Sequence, residues 1–266
     1  MDHNIRFYMH KPKGELAHII QAVWSISVDP HATADVEQWL PSDGGCGVIF
    51  NLNSTANINV NLNNQTLADG CILQPVSQQA TPITLQPGAV LAGIRFHPAI
   101  SYGLFNELVT KPTLVQGIDP LSRSLIQLHA VLQTKTNHWS RLLTLSRWLK
   151  CSFNTLALLP NALSQAINDI RDIQTLTPST QPIPTPIDIS QRQLERYFHT
   201  WLGISAKKYQ RVLRTRQAQS SIKMNPQLQL ADLALDHGFT DQAHMTREFK
   251  SIARITPGKY RKILSQ

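Results

Sequence analysis

Apolar and polar positions change period along this chain, and the change divides it. Between residues 5 and 96, apolar residues alternate with polar ones or run in short blocks bounded by Gly, Pro and Asp. Ala22–Val28 and Gly47–Asn53 are such blocks, and Asn57–Asn63 alternates strictly, as a strand with one wet face does. Cys71–Val76 and Val90–Phe96 read as two more strands. From Pro98 the period lengthens and predicts helices over Ile100–Phe105, Pro120–Leu132, His138–Leu149 and Asn161–Leu176, the third with Leu142, Leu145 and Leu149 on one stripe. Residues 177–187 contain four prolines and cannot be regular helix, so the domain boundary is expected there.

Beyond the prolines a helical pattern occurs twice in the same form. Sliding the chain 51 positions along itself places Ser190 on Asp241, Leu194 on Met245, Arg196 on Arg247 and Phe198 on Phe249. Further on, Ile204 meets Ile255, Ser205 meets Thr256, Lys208 meets Lys259 and Tyr209 meets Tyr260. Paired positions share chemistry, which marks a duplicated unit. In the second copy Leu230, Leu233 and Ala234 form the inner face of a short helix, and Gly238 permits the turn that ends it. Asp241 then caps a second helix whose Met245, Phe249 and Ile252 point inward. Two short helices joined in this way are a helix-turn-helix, which places the second helix in a DNA major groove. Ala206–Met224, between the copies, suits one helix of about 28 Å. Such a spacer holds two recognition helices roughly one DNA turn (about 34 Å) apart. The fold class expected is therefore α+β: a β-rich sandwich or barrel with helices over residues 1–176, a Pro-rich linker over 177–187, and an all-α domain with two helix-turn-helix motifs over 188–266.

Charge sharpens this division. The chain carries a net +8, and all of it lies in residues 178–266, which hold 14 Lys+Arg against 6 Asp+Glu; the preceding residues hold 11 of each. Positive charge coinciding with the duplicated helices points to a polyanionic partner. Arginine pairs bidentately with a guanine edge and glutamine with adenine, so Arg192, Gln193, Arg196 and Gln242, Arg247 are candidate base readers. Lys208, Lys250 and Lys259 are candidate phosphate contacts. No window has the roughly 18 apolar residues of a membrane span, and no apolar signal core follows Lys11 and Lys13, so a cytoplasmic location is expected. Cys46, Cys71 and Cys151 have no metal-ligand spacing and are expected to be reduced and mostly packed; neither metal nor cofactor is expected.

The run Ser190–Phe198, then Gly203–Tyr209, Arg211, Arg214, Gly238–Lys250 and Thr256–Arg261, resembles the AraC/XylS family of bacterial transcription regulators over about 75 residues. The resemblance implies a seven-helix DNA-binding domain. Its base-reading positions fall on Arg192, Gln193, Glu195 and Arg196 in the first motif and on Gln242, Ala243, Thr246 and Arg247 in the second. It implies double-stranded DNA as partner, with RNA polymerase, a small-molecule effector and a second copy of the chain (a homodimer) as further candidates. Trp39–Leu52 and Gly93–Ala99 resemble the β-rich sensor domain of one branch of these regulators. The chain departs from the family just before Ser190, where Pro182, Pro184 and Pro186 replace an Ala-rich helix. The supporting helix of the first motif is expected to be shortened or lost, with the second motif carrying more of the specificity.

Three other readings stay open. Cys46 after Gly44-Gly45, with His97 near a strand end, is the best enzyme candidate, although packed cysteine and surface histidine are the plainer account. A binding or structural protein with a degenerate first motif is another. Third, Phe7, Tyr8, Trp24, Trp39, Phe50 and Phe96 either line a ligand pocket or fill a core, with core favoured for most; Arg95 is the candidate anchor for an acidic or polar ligand.

Overall fold

The computed structural model describes residues 4–40, 42–53, 60–62, 65–152, 159–176 and 189–264. The Pro-rich linker expected over 177–187, and Asn57–Asn59 with Asn63 of the alternating segment, lie outside the described residues. Two compact units emerge, and both are discontinuous in sequence. The first comprises Met1–Leu40, Gly45–Val76 and Thr81–Leu158; the second comprises Pro41–Gly44, Ser77–Ala80 and Leu159–Gln266.

The first unit contains β1 (Ile5–His10), β2 (Ile20–Val28), β3 (Val36–Leu40), β4 (Gly47–Asn51), β5 (Val60–Leu62), β6 (Gln65–Thr66), β7 (Gly70–Gln74), β8 (Thr81–Leu85), β9 (Val90–Phe96) and β10 (Thr113–Leu114). They form an antiparallel sheet in the order β1-β2-β9-β4-β7-β10 and a second in the order β3-β8-β5-β6. Ile26, Ile49, Ile72 and Leu91 of the first sheet share a core with Val36, Val60, Leu62, Ile83 and Leu85 of the second, which makes the unit a sandwich. Beyond α1 (Ile100–Phe105), α2 (Pro120–Gln133) and α3 (His138–Ser152) pack on the larger sheet, α2 against β7 and α3 against β2 and β9. A sheet covered on both faces has no wet side, which is why all five residues of β4 are buried. At Gly93 a β-carbon would stand 2.3 Å from the Trp24 ring, so only glycine lets that indole lie across the strand.

Four of the strands expected from periodicity are β2, β4, β7 and β9, the described part of the fifth is β5 (Val60–Leu62), and β1, β3, β6, β8 and β10 are additions. β1 is an edge strand with Phe7, Tyr8 and Met9 exposed, so it lacks an inward-outward alternation. β8 contains Pro82, which speaks against a strand in sequence yet is paired opposite Trp39. The aromatic residues divide differently from expectation. Phe50 and Phe96 are core, whereas Phe7, Tyr8 and Trp39 are exposed because β1 is an edge and Trp39 points outward from β3.

The second unit is helical: α4 (Asn161–Leu176), α5 (Gln191–Leu202), α6 (Ala206–Met224), α7 (Leu230–Asp236), α8 (Gln242–Ala253) and α9 (Pro257–Leu264). Each of the others touches α6, the axle of the unit. α4 buries Leu163, Ala166, Ile167 and Ile170 and packs on α5 and α6, as α7 packs on α8 and α6. The first motif therefore does have a supporting helix, drawn from upstream of the prolines.

Candidate nucleic-acid interface

The 51-residue repeat recurs in the helix bounds, the caps and the main buried positions. Helix α5 shifted by 51 positions is α8, with both ends matching. Ser190 Oγ accepts from the Gln193 amide at 3.2 Å, and Asp241 Oδ1 accepts from the His244 amide at 2.6 Å. Each cap satisfies one of the orphan donors of a helix start and is worth about 1 kcal/mol. Each helix ends on a left-handed residue, Gly203 at φ 69° and Arg254 at φ 59°. Glycine adopts that conformation freely; the arginine does so at a cost of roughly 1 kcal/mol.

Packing beneath the two helices is duplicated as well. Leu194 and Phe198 are fully buried in the first motif, Met245 and Phe249 in the second. Phe198 meets Tyr209 and Phe249 meets Tyr260, each pair with ring centroids 5.8 Å apart. Burial raises both phenols, that of Tyr209 to about 12. At the next helix starts, Ser205 Oγ accepts from the Lys208 amide and Thr256 Oγ1 from the Lys259 amide.

With the apolar faces buried, Arg192, Arg196, Gln242, Ala243, Arg247, Lys250 and Lys259 are exposed, and Gln193 and Thr246 are half-buried. Thr246 Oγ1 donates back to the Gln242 carbonyl at 2.8 Å. Two candidates are engaged inside the protein. Glu195 Oε2 receives the Ala206 amide at 3.4 Å, at the start of α6, and Lys208 Nζ donates to Gln78 Oε1 at 2.8 Å. These contacts compete with a base edge and with a phosphate respectively.

One cluster escaped the sequence reading. Glu248 is buried on the inner side of α8 and receives Arg211 Nε at 2.7 Å. Arg214 Nη2 lies 3.3 Å from its Oε2, and His244 Nε2 3.3 Å from its Oε1. Arg214 also donates to the Gly238 carbonyl at 2.8 Å and stacks 4.9 Å from the Phe239 ring centre. This network ties α6 to the turn and to the recognition helix of the second motif. The signal available in sequence was an acid on the inward stripe of α8, three residues after Met245; such a carboxylate needs cationic partners.

Cys46 and Cys71 are buried and Cys151 is exposed. Burial pushes the Cys71 thiol up to about 12, which leaves little thiolate at neutral pH. Asp43, 2% exposed, pairs with Arg216 Nη1 at 2.9 Å. Arg95 sits in β9 between Ala22 of β2 and Gly47 of β4, half-buried. Among the described residues, no helix is long and apolar enough to cross a membrane, and no group of three His, Cys, Asp or Glu side chains is placed to hold a metal.

Comparison with known proteins agrees with this geometry. Residues 186–263 match a family model described as a helix-turn-helix domain, and residues 8–113 match a domain of unknown function, DUF6597. The probable transcription factor PqrA of Proteus vulgaris is 35% identical over 72 residues, 27% of this chain and 58% of that protein. This chain thus spans little more than half of that relative. Among solved structures, an AraC-type DNA-binding transcriptional regulator from Chromobacterium violaceum aligns at 27% identity with a TM-score of 0.35, over 40% of this chain and 93% of that one. ToxT from Vibrio cholerae O395 aligns at 13% identity with a TM-score of 0.43, over 87% and 98% of the two chains. With the matched family model and the duplicated motif in agreement, the C-terminal part of this chain belongs to the AraC-type helix-turn-helix domains.

Proposed function

We propose that this protein is a sequence-specific transcription regulator that reads two adjacent major-groove segments, one with α5 and one with α8. The observation that carries the reading is the exposed arginine pair Arg196 and Arg247, at equivalent positions of two helices capped and packed alike. Arg192 and Gln193, with Gln242, Ala243 and Thr246, complete the base-facing surfaces, and Lys250 and Lys259 neutralise phosphates. Glu195 and Lys208 serve mainly inside the protein. The Pro-rich segment 177–187 falls in sequence between α4 and α5, inside the helical unit, and the protein acts in the cytoplasm, where its DNA is.

The sheet-rich unit is the sensor and dimerisation part, responsive to a small-molecule effector for which Arg95 is an anchor. RNA polymerase and a second copy of the chain are its protein partners. The chain is a binding protein in which Cys46 and His97 have no catalytic role. The test is selection of duplexes from a randomised library with the full-length protein at physiological salt. Enrichment of a motif with two elements about one helical turn apart is the expected result. Enrichment of no sequence, or binding abolished by random competitor, would overturn the proposal.

A further inference from the structure

The second unit contains two short segments distant in sequence from its helices, Pro41–Gly44 and Ser77–Ala80. They are joined by Gly44 N–H donating to the Ser77 carbonyl at 2.9 Å and by Ser42 Oγ donating to the same oxygen at 3.2 Å. The tetrapeptide Ser77–Ala80 then reaches both helix-turn-helix motifs. Gln78 Nε2 donates to the Gly203 carbonyl at 3.4 Å, while Gln79 Oε1 receives Arg254 Nη2 at 2.8 Å. Gly203 and Arg254 are the same position of the repeat, the left-handed residue that ends each recognition helix. Two further bonds strengthen the grip: Lys208 Nζ to Gln78 Oε1, and the Ala80 amide to the Ile252 carbonyl at 2.8 Å. Asp43 holds the other end of the assembly on α6 through Arg216.

We infer that Ser77–Ala80, backed by Asp43, is a brace that fixes the two recognition helices relative to each other, so that Gln78 and Asp43 are positioning residues for reading two groove segments at one spacing. The inference rests on the regulator reading above. Without the brace, α6 is the covalent connection between the motifs, and small bends of it are amplified at the helix tips. A helix that is held at its far end enters its groove with the partner helix already in place, which raises the effective concentration of the second contact. Location decides between a brace and a block. Every contact falls at the C-terminal ends of α5 and α8 or on α6, whereas base reading uses the N-terminal turns, where Arg192, Gln193, Gln242 and Ala243 lie.

The test uses the full-length protein, a duplex selected from a randomised library, the same duplex with one element scrambled, and a third with about half a helical turn inserted between the elements. Gln78→Ala and Asp43→Asn are expected to lose about tenfold on the selected duplex and less than about twofold on the scrambled one. Their discrimination against the inserted half-turn should fall in parallel. A merely destabilised domain would lose affinity equally on all three duplexes, and that result would overturn the brace. Unchanged binding would overturn it too, as would a gain in affinity, which would make the segment a block. If Asp43→Asn does not fold, Gln78→Ala, on a half-buried side chain, decides. Should the unaltered protein select no duplex, the regulator reading fails and takes the brace with it; selection with unaltered variants sinks the brace alone.

Discussion

Replacing Glu248 with alanine tests whether the second motif is held together by charge. The carboxylate is 8% exposed and faces Arg214, 9% exposed, so neither group has water to fall back on. Removing one member of a buried pair typically costs about 3–5 kcal/mol, because the other is left charged and uncompensated. Arg214 keeps the Gly238 carbonyl and the Phe239 ring, which places the expected loss near the low end, about 3 kcal/mol. Arg211, 37% exposed, regains water and adds at most about 1 kcal/mol. The measurement is chemical denaturation of the full-length protein followed by far-ultraviolet circular dichroism, with the helical transition fitted separately from that of the sandwich. The double variant Glu248→Leu with Arg214→Met should recover most of the loss, since an apolar pair of similar volume needs no compensation. A Glu248→Ala loss below about 1 kcal/mol, or a double variant as unstable as the two singles summed, would refute the reasoning.

Three further outcomes follow from the interface. Because α4 supports α5 as α7 supports α8, Arg196→Ala and Arg247→Ala should each lower specific affinity by about 1–3 kcal/mol while leaving non-specific binding unchanged; a gap above about tenfold between them in a titration at fixed salt would contradict equivalent support. Lys250→Ala should reduce the slope of log affinity against log salt by about 1, whereas Lys208→Ala should barely change it, because its ammonium is held by Gln78; equal slopes for the two would refute this. Burial lowers the pKa of His237, which meets Ser221 Oγ at 3.0 Å, below its ordinary value of 6.5. The folded state then favours the neutral ring, so stability is full above pH 6.5 and declines as pH falls towards the lowered value. Thermal melts at pH 7 and pH 5 should show this decline in the original protein and a smaller one in His237→Gln.

Much of the C-terminal third was legible because period and caps coincide there. Ala206–Met224 was bounded correctly because Ser205 caps one end and Pro226 follows the other. The same holds for α5 and α8, where Ser190 and Asp241 announce the start. What failed was inference from proline about a neighbouring helix. Pro182, Pro184 and Pro186 forbid a helix where they stand, but α4, some way upstream, supplies the missing support through tertiary packing that no local pattern records. The edge strand β1 was hidden for the opposite reason: Phe7, Tyr8 and Met9 look like core residues, and only the sheet order shows that they lie at a rim. Glu195 and Lys208 were legible as surface residues and not as internal ties, since Ala206 is eleven positions from one and Gln78 is 130 from the other.

The discontinuity of the helical unit bears on how such proteins diversify. A gene fusion that transplanted residues 159–266 onto another N-terminal domain would carry both helix-turn-helix motifs but leave Asp43 and Gln78 behind, stranding Arg216 and the ends of both recognition helices. Exchange of whole tails between paralogues is therefore disfavoured unless the donor loops travel with them, and the tail and the two loops are expected to have been inherited as a matched set.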